Sequence, residues 1–447
     1  MPKPLARLAA TLALALPLPA LALDPAALPA PPVTDADYAP VNAVEARLGQ
    51  LLFWDPILSG NRNIACATCH HPRFGTSDGV SLGLGEGGIG LGPARKPDPA
   101  NLPEQRIPRN APALFNLGAH QFTALFVDGR IAVDPTRPSG FRTPMEDTMV
   151  SGFASLLSAQ TMFPVLSGDE MAGHYEENEI AIAAREGIIT GPDGAWSRLA
   201  ARVAAIPAYG AMFAAAYPEI ASGRRVAFTD ISNAIAGFVA VEWRSDTSPF
   251  DAWLRGQGTL PPEALAGAEL FYGKAGCSAC HSGVFQTDHA FHAMAEPQFG
   301  PGKAERFERH SLDTGRMRVT NNPADAYAFR TPSLRNVTAT APYGHSGAHT
   351  TLAGFLAYHS DPVAGLATYQ PEAILPAFDP ATPDFAPLGD TAARAAIAGA
   401  VTSAPVHLTE DEAAAILAFL ASLEDPTALT GRLGIPPSVP SGLTIDN

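Results

Sequence analysis

Cys66-Ala67-Thr68-Cys69-His70 and Cys277-Ser278-Ala279-Cys280-His281 are the two stretches on which the reading of this chain turns. Each is a Cys-x-x-Cys-His run, and together they use all four cysteines. Thiols at i and i+3 stand about one helical turn apart. From there both can form thioether bonds to the two vinyl groups of one haem, while the adjoining histidine reaches the iron. The two runs therefore predict two covalently bound haem c groups. Cys66, Cys69, Cys277 and Cys280 attach them; His70 and His281 are the first axial ligands. Zinc sites also use Cys-x-x-Cys pairs but do not require a histidine directly after them. A disulfide framework does not suit so few cysteines in a chain of 447 residues.

The flanking sequence repeats with the motifs. Gly49-Gln50-Leu51-Leu52-Phe53 precedes the first and Gly267-Ala268-Glu269-Leu270-Phe271 the second. Downstream, Arg109 to Asn116 echoes Arg330 to Asn336, with a Gly/Pro-rich loop before it in the first half, Ser81 to Ile107. The fold class expected is mainly α: two tandem cytochrome c-like domains, each wrapping one covalent haem, with long Gly/Pro-rich loops. The expected division is a signal peptide at 1–22, a linker at 23–42, an N-terminal domain at 43–247, a C-terminal domain at 248–430 and a tail at 431–447. Helical periodicity marks 179–185, 196–204, 230–243, 262–271 and 409–423, the last opened by a Thr409/Glu412 capping box. No stretch shows sustained strand alternation.

The first residues read as a secretory signal: Lys3 and Arg7, an apolar run from Leu8 to Leu18, then Ala20-Leu21-Ala22. The expected location is the periplasm, with no membrane span after cleavage. Acidic residues number 44 against 29 basic ones. That balance argues against nucleic acid and suits a basic redox partner. Gly83-Leu84-Gly85-Glu86-Gly87-Gly88 matches a dinucleotide fingerprint, but Gly and Pro continue on both sides where a strand and a helix are needed.

The sixth position of each iron separates electron transfer from peroxide chemistry. For the second haem the candidates are Met317, His345, His349, Tyr358 and His359. Leu352, Phe355, Leu356 and His359 fall on one helical stripe and point to His359.

Phe53-Trp54-Asp55-Pro56, Arg109-Asn110-Ala111-Pro112, Phe126-Val127-Asp128-Gly129-Arg130, Asp169-Glu170-Met171, Ser248-Pro249-Phe250-Asp251 and Ala341-Pro342-Tyr343-Gly344-His345 stand in a specific order. In this the chain resembles the bacterial dihaem cytochrome c peroxidases and their relative MauG, over nearly all of the mature chain. The resemblance implies a peroxide-reactive N-terminal haem and an electron-transfer C-terminal haem. It places Glu170 on the distal side of the reactive haem as acid/base, with Gln160 and Pro164 in the same pocket. It implies one calcium ion, held by the Asn110 side chain and the carbonyls of Thr340 and Pro342. It makes hydrogen peroxide the substrate, and a small electron-donor protein (a cytochrome c or a cupredoxin) or a protein substrate the partner. Homodimers are common in the family, though no residue pattern here defines one.

Three positions depart from the family. Leu84 stands where many of the peroxidases carry a distal histidine, so the reactive haem reads as permanently open. Val127 stands where a tryptophan lies between the haems. His359 aligns with a methionine in the peroxidases and a tyrosine in MauG. The reading that follows is a periplasmic peroxidase. The alternatives are a MauG-like oxidase of a protein or small molecule, and a non-enzymatic dihaem electron carrier.

Overall fold

The computed structural model describes residues 23–303, 310–380 and 383–446. The expected signal peptide lies outside the described residues. The chain is mainly helical. Among the described residues no single helix is long and apolar enough to cross a membrane.

The sequence repeat becomes a structural one. Asn42 opens the helix Ala43–Trp54 by accepting from the Val44 amide at 2.8 Å. Leu48, Leu52, Phe53 and Trp54 turn inward and are buried. This helix crosses Phe228–Glu242 so closely that a Cβ on Gly49 would overlap the Ala234 carbonyl. In the second half Pro262–Tyr272 crosses Glu410–Ala421 in the same way, with Gly267 against the Ala415 carbonyl. The phenylalanine that follows each glycine then packs on the partner helix: Phe53 on Phe238 at 5.3 Å and Phe271 on Phe419 at 5.0 Å between ring centres.

The echoed asparagines close each unit. Asn116 and Asn336 both adopt positive φ, a conformation asparagine tolerates better than most residues. The Asn116 amide donates to Trp243 O, just past the end of one partner helix, at 3.1 Å. The Asn336 amide donates to Leu423 O, just past the other, at 3.2 Å. The helices expected from periodicity form as Glu179–Arg185, Ala195–Ala204, Phe228–Glu242, Pro262–Tyr272 and Glu410–Ala421. Thr409 and Glu412 make the reciprocal capping box. Among the described residues, strands are two or three residues long and form three small antiparallel sheets. Within the segment from Asp134 to Pro144, Phe141–Arg142 joins one of them by pairing with Ile131–Val133.

Two segments differ from expectation. The stretch 23–42 is not a loose linker: Ala30, Val33 and Tyr38 are buried, and Pro29 O accepts from the Gly283 amide beside the second haem motif. Nor does 431–446 trail away. Val439 enters the core of the first half, Ser441 Oγ donates to Asp55 at 2.7 Å, and Asp446 accepts from Thr68 Oγ1 at 2.6 Å. Thr68 lies inside the first Cys-x-x-Cys-His run, so the C-terminus clamps that motif. Both segments are rich in proline and short of helical periodicity, which is why their packing does not show in the sequence pattern.

Candidate haem sites

The two motifs fold alike at the atom that matters. Cys66–Cys69 is one helical turn, and Cys277–Ala279 is a tighter turn of the same sense. His70 Nδ1 donates to Thr76 O at 3.0 Å, and His281 Nδ1 donates to Gln286 O at 3.1 Å. With Nδ1 engaged by a backbone carbonyl, each imidazole is held in one orientation and keeps Nε2 for a metal, as ligating histidines usually do. Burial holds both rings in the neutral form; His281 is lowered to about 4 by burial and by the neighbouring His359. Burial also pushes the Cys66 and Cys69 thiols up to about 12.

A large cavity opens over His70. It contains about 1610 Å³ of space unfilled by protein atoms, some of it continuous with solvent. Cys66, Cys69 and His70 line it, and so do Glu170, Gln160 and Pro164, so the structure brings the whole expected distal set to one chamber. Gln160 Oε1 is buried without a hydrogen-bond partner, an atom waiting for a polar ligand. A roomy, largely apolar chamber with two thiols and a free imidazole nitrogen fits a covalent haem. Among the described residues, His70 is the only imidazole that lines it. Leu84 is buried but does not line it, and its loop instead leans on the Glu170 turn, with the Glu86 amide donating to Asp169 O at 2.9 Å.

Glu170 sits in Gly168–Ala172, a widened helical turn, with Met171 and Ala172 anchoring it in the core. Burial raises its carboxyl above the ordinary range, opposed by Lys303 and Arg130. Lys303 in turn is lowered to about 8 by burial and by Arg130 and Arg109. Arg130 lies 3.4 Å above the Phe126 ring and is paired with Asp128 at 3.0 Å. Arg109 bridges Asp128 at 2.7 Å and Asp313 at 2.6 Å, which joins the two halves behind the chamber. Sequence reading missed Lys303, Arg330 and Asp78 on this wall. Burial pushes Asp78 up to about 7. Asp78 had a legible signal, because Ser77-Asp78 echoes Thr287-Asp288 after the second motif. Lys303 and Arg330 had none, since they arrive from the other half of the chain.

The second site is built differently. His359, on the helix Leu352–Ser360, faces His281 with ring centres 6.3 Å apart. Two imidazole–metal bonds of about 2 Å, each with roughly 1 Å from ring centre to nitrogen, add to about 6 Å. The spacing fits one iron held between two histidines. Of the five candidates, His359 is the one whose ring meets that of His281 among the described residues. His345 Nδ1 lies 2.6 Å from Glu296, His349 Nδ1 lies 3.2 Å from Glu372, and the Tyr358 hydroxyl donates to Ala295 O. Met317 begins a separate short helix, Met317–Thr320. The His359 helix is covered on both sides: Leu352 and Leu356 pack on the second core, while Tyr358 is buried in a smaller cluster with Leu366 and Ile397. Cys280, Asp288 and His292 also offer ligand atoms within 4.8 Å of one another. That set is one ligand short of a structural zinc centre and shares its thiol with the haem motif.

At the expected calcium position, the Asn110 amide donates to His345 O at 2.9 Å, bringing Asn110 to the 340–345 loop. Its side-chain amide lies 2.8 Å from Val80 O and 3.4 Å from Ser81 O. Among the described residues the carbonyls of Thr340 and Pro342 accept no backbone hydrogen bond. The Asn110 side-chain oxygen and these two carbonyls are donors of the kind a hard cation takes.

A roomy chamber over His70 and a facing pair, His281 and His359, on a helical scaffold fit one class, a two-haem redox protein. The comparisons agree with that class. The model of the di-haem cytochrome c peroxidases matches residues 43–259. The methylamine utilization protein MauG of Methylorubrum extorquens is 29% identical over 309 residues, 69% of this chain and 66% of that protein. The cytochrome c551 peroxidase of Pseudomonas aeruginosa is 29% identical over 316 residues, 70% of this chain and 71% of that one. A crystal structure of a MauG-like protein associated with microbial copper homeostasis superposes with a TM-score of 0.58 at 25% identity, covering 90% of this chain and 95% of that one. The chain is thus similar to the di-haem cytochrome c peroxidases and to MauG, the family model itself matching residues 43–259.

Proposed function

We propose that this protein is a periplasmic dihaem peroxidase with two covalently attached haem c groups, one in each of two tandem cytochrome c-like domains. It converts one hydrogen peroxide, two electrons and two protons into two waters. The observation that carries the reading is the asymmetry of the sites: the chamber over His70 holds Glu170 and Gln160, whereas His281 faces the second imidazole of His359. A haem held by Cys66, Cys69 and His70 would supply peroxide binding and electron exchange.

The chain's own groups do the rest. Cys66 and Cys69 anchor the group, and Thr76 O fixes the His70 ring so that Nε2 faces it. Glu170, enclosed on the chamber wall, takes the proton from one peroxide oxygen and returns it to the other as the O–O bond breaks. Lys303 and Arg130 oppose the effect of burial and so favour the charged form of Glu170 that accepts that proton. Gln160 Oε1 can accept a hydrogen bond from the substrate. Pro164, which has no amide hydrogen, adds apolar wall. Cys277, Cys280, His281 and His359 hold the electron-entry haem. Asn110 and the carbonyls of Thr340 and Pro342 hold a calcium ion between the halves. The donor is a small basic redox protein, a cytochrome c or a cupredoxin, suited to a chain with a formal charge of −15.

The absence of an imidazole other than His70 from the chamber lining favours a second reading, a MauG-like oxidase that spends the oxidising power of peroxide on a protein or small molecule. Electron paramagnetic resonance of the oxidised protein tests both enzyme readings, which require one high-spin haem that responds to peroxide and one low-spin haem. Two low-spin haems without a response would leave only the electron carrier. Rapid turnover of a reduced small cytochrome with peroxide selects the peroxidase; absence of turnover with an intact peroxide response selects the oxidase.

A further inference from the structure

Four cationic side chains line the first chamber: Arg109, Arg130, Lys303 and Arg330. Arg109 is bridged to Asp128 and Asp313, and Arg130 to Asp128. Lys303 feels the Glu170 and Asp128 carboxylates. Arg330 differs. Among the described residues no carboxylate pairs with it. Its guanidinium reaches two carbonyls, Phe126 O at 3.5 Å and Thr331 O at 3.3 Å, both long for a charged donor, and lies 5.8 Å from the centre of the Phe122 ring. Burial alone lowers it to about 10, with no anion acting in the other direction. Beside it stands His289, lowered to about 4 by burial and by the charge of Arg330, with both ring nitrogens buried and unpartnered. A guanidinium is protonated under all ordinary conditions, so it cannot relieve its burial by losing a proton. An enclosed, unpaired arginine on the wall of a ligand chamber therefore calls for an anion supplied by the ligand.

We propose that Arg330 seats a propionate carboxylate of the first haem. The inference rests on the two-haem reading and deepens it. The residue that neutralises the first haem comes from the second half of the chain. Its strand, Ala328–Arg330, is pinned on one side to Phe291–Ala293 and on the other by the Arg330 amide donating to Val127 O at 2.7 Å. The planar fork of arginine matches the two oxygens of a carboxylate. The pairing also removes most of the negative field of that propionate from the iron, which favours the reduced state.

The test uses the holoprotein and potentiometric titration of each haem. Arg330→Met should still carry two haems and a low-spin second haem. The midpoint potential of the first haem should fall, with a shift of at least tenfold in its oxidised-to-reduced ratio, equivalent to 59 mV for one electron. Arg330→Lys should recover most of the potential. If Arg330→Met does not mature, Arg330→Gln, neutral but still a donor, should show the same fall. A first-haem potential unchanged in the neutral variants, or an equal fall at both haems, overturns the proposal. Titrating the wild-type protein with inorganic phosphate at constant ionic strength should leave that potential unmoved. A saturable shift would mean that the seat takes a soluble anion instead, and would also overturn it. The high-spin signal of the wild-type first haem and its response to peroxide test the functional reading separately.

Discussion

At the scale of single residues, Glu170 is a carboxyl enclosed on the wall of an otherwise largely apolar chamber. Burial disfavours its charge and two nearby cations favour it, leaving its affinity for a proton above that of an ordinary carboxyl. A general base must be unprotonated to act. Activity should therefore rise with pH through the raised Glu170 value and stay low below it, giving an acid limb displaced upward from about 4.3. Glu170→Gln should abolish that limb and lower peroxide turnover by about 10²–10⁴-fold, while the haem content and the spectrum of the second haem stay unchanged. His359 makes a sharper claim still. Its ring centre lies 6.3 Å from that of His281, and its Nδ1 is buried without a partner. His359→Ala should turn the second haem from low-spin to high-spin in electron paramagnetic resonance. A retained low-spin signal would assign the sixth position to another side chain.

At the scale of elements, each half is built on a helix pair closed by one glycine. Gly267 lets Pro262–Tyr272 lie against the backbone of Glu410–Ala421, and a methyl group there would meet the Ala415 carbonyl, which has no rotamer with which to yield. Gly267→Ala should cost about 1–3 kcal/mol, as overpacking generally does, and lower the thermal midpoint of the holoprotein. Gly399→Ala is the internal control: it ends the helix Thr391–Gly399, and nothing lies within 4 Å of the new methyl group. It should be neutral or slightly stabilising. These glycines also show what is legible in the chain. The helix, the glycine, the Leu-Phe ending and the haem motif occupy some thirty consecutive residues, so local spacing expresses them. Glu170, Gln160 and Pro164 fall within one short stretch and were reached by their resemblance to a family pattern. Lys303 and Arg330 line the same chamber from a distance of more than 130 residues in sequence, and no periodicity encodes such a meeting. The same holds for Asp446 against Thr68, where a pattern with no helical period hides a specific hydrogen bond.

At the scale of the whole molecule, the question is how charge crosses from one site to the other with Val127 where the family carries tryptophan. Val127 lines the first chamber, and its carbonyl accepts from the Arg330 amide at 2.7 Å. The next amide, Thr331 N, donates to Ala290 O at 2.9 Å, and Thr287 Oγ1 donates to Thr331 O at 2.8 Å. The Asp288 amide donates to Cys280 O at 2.7 Å. An unbroken run of covalent and hydrogen bonds thus joins the chamber wall to the second attachment motif, but it runs through saturated main chain. An indole at 127 would add a conjugated ring at the chamber wall, beside the strand that carries Arg330. Val127→Trp should therefore raise the rate at which an electron placed on the second haem reaches the first, followed by stopped-flow absorbance after partial reduction. Peroxide turnover should rise with it only if that transfer limits the cycle. An unchanged or lower inter-haem rate, with both haem spectra intact, would show that the hydrogen-bonded strand already conducts as well as the aromatic bridge it replaces.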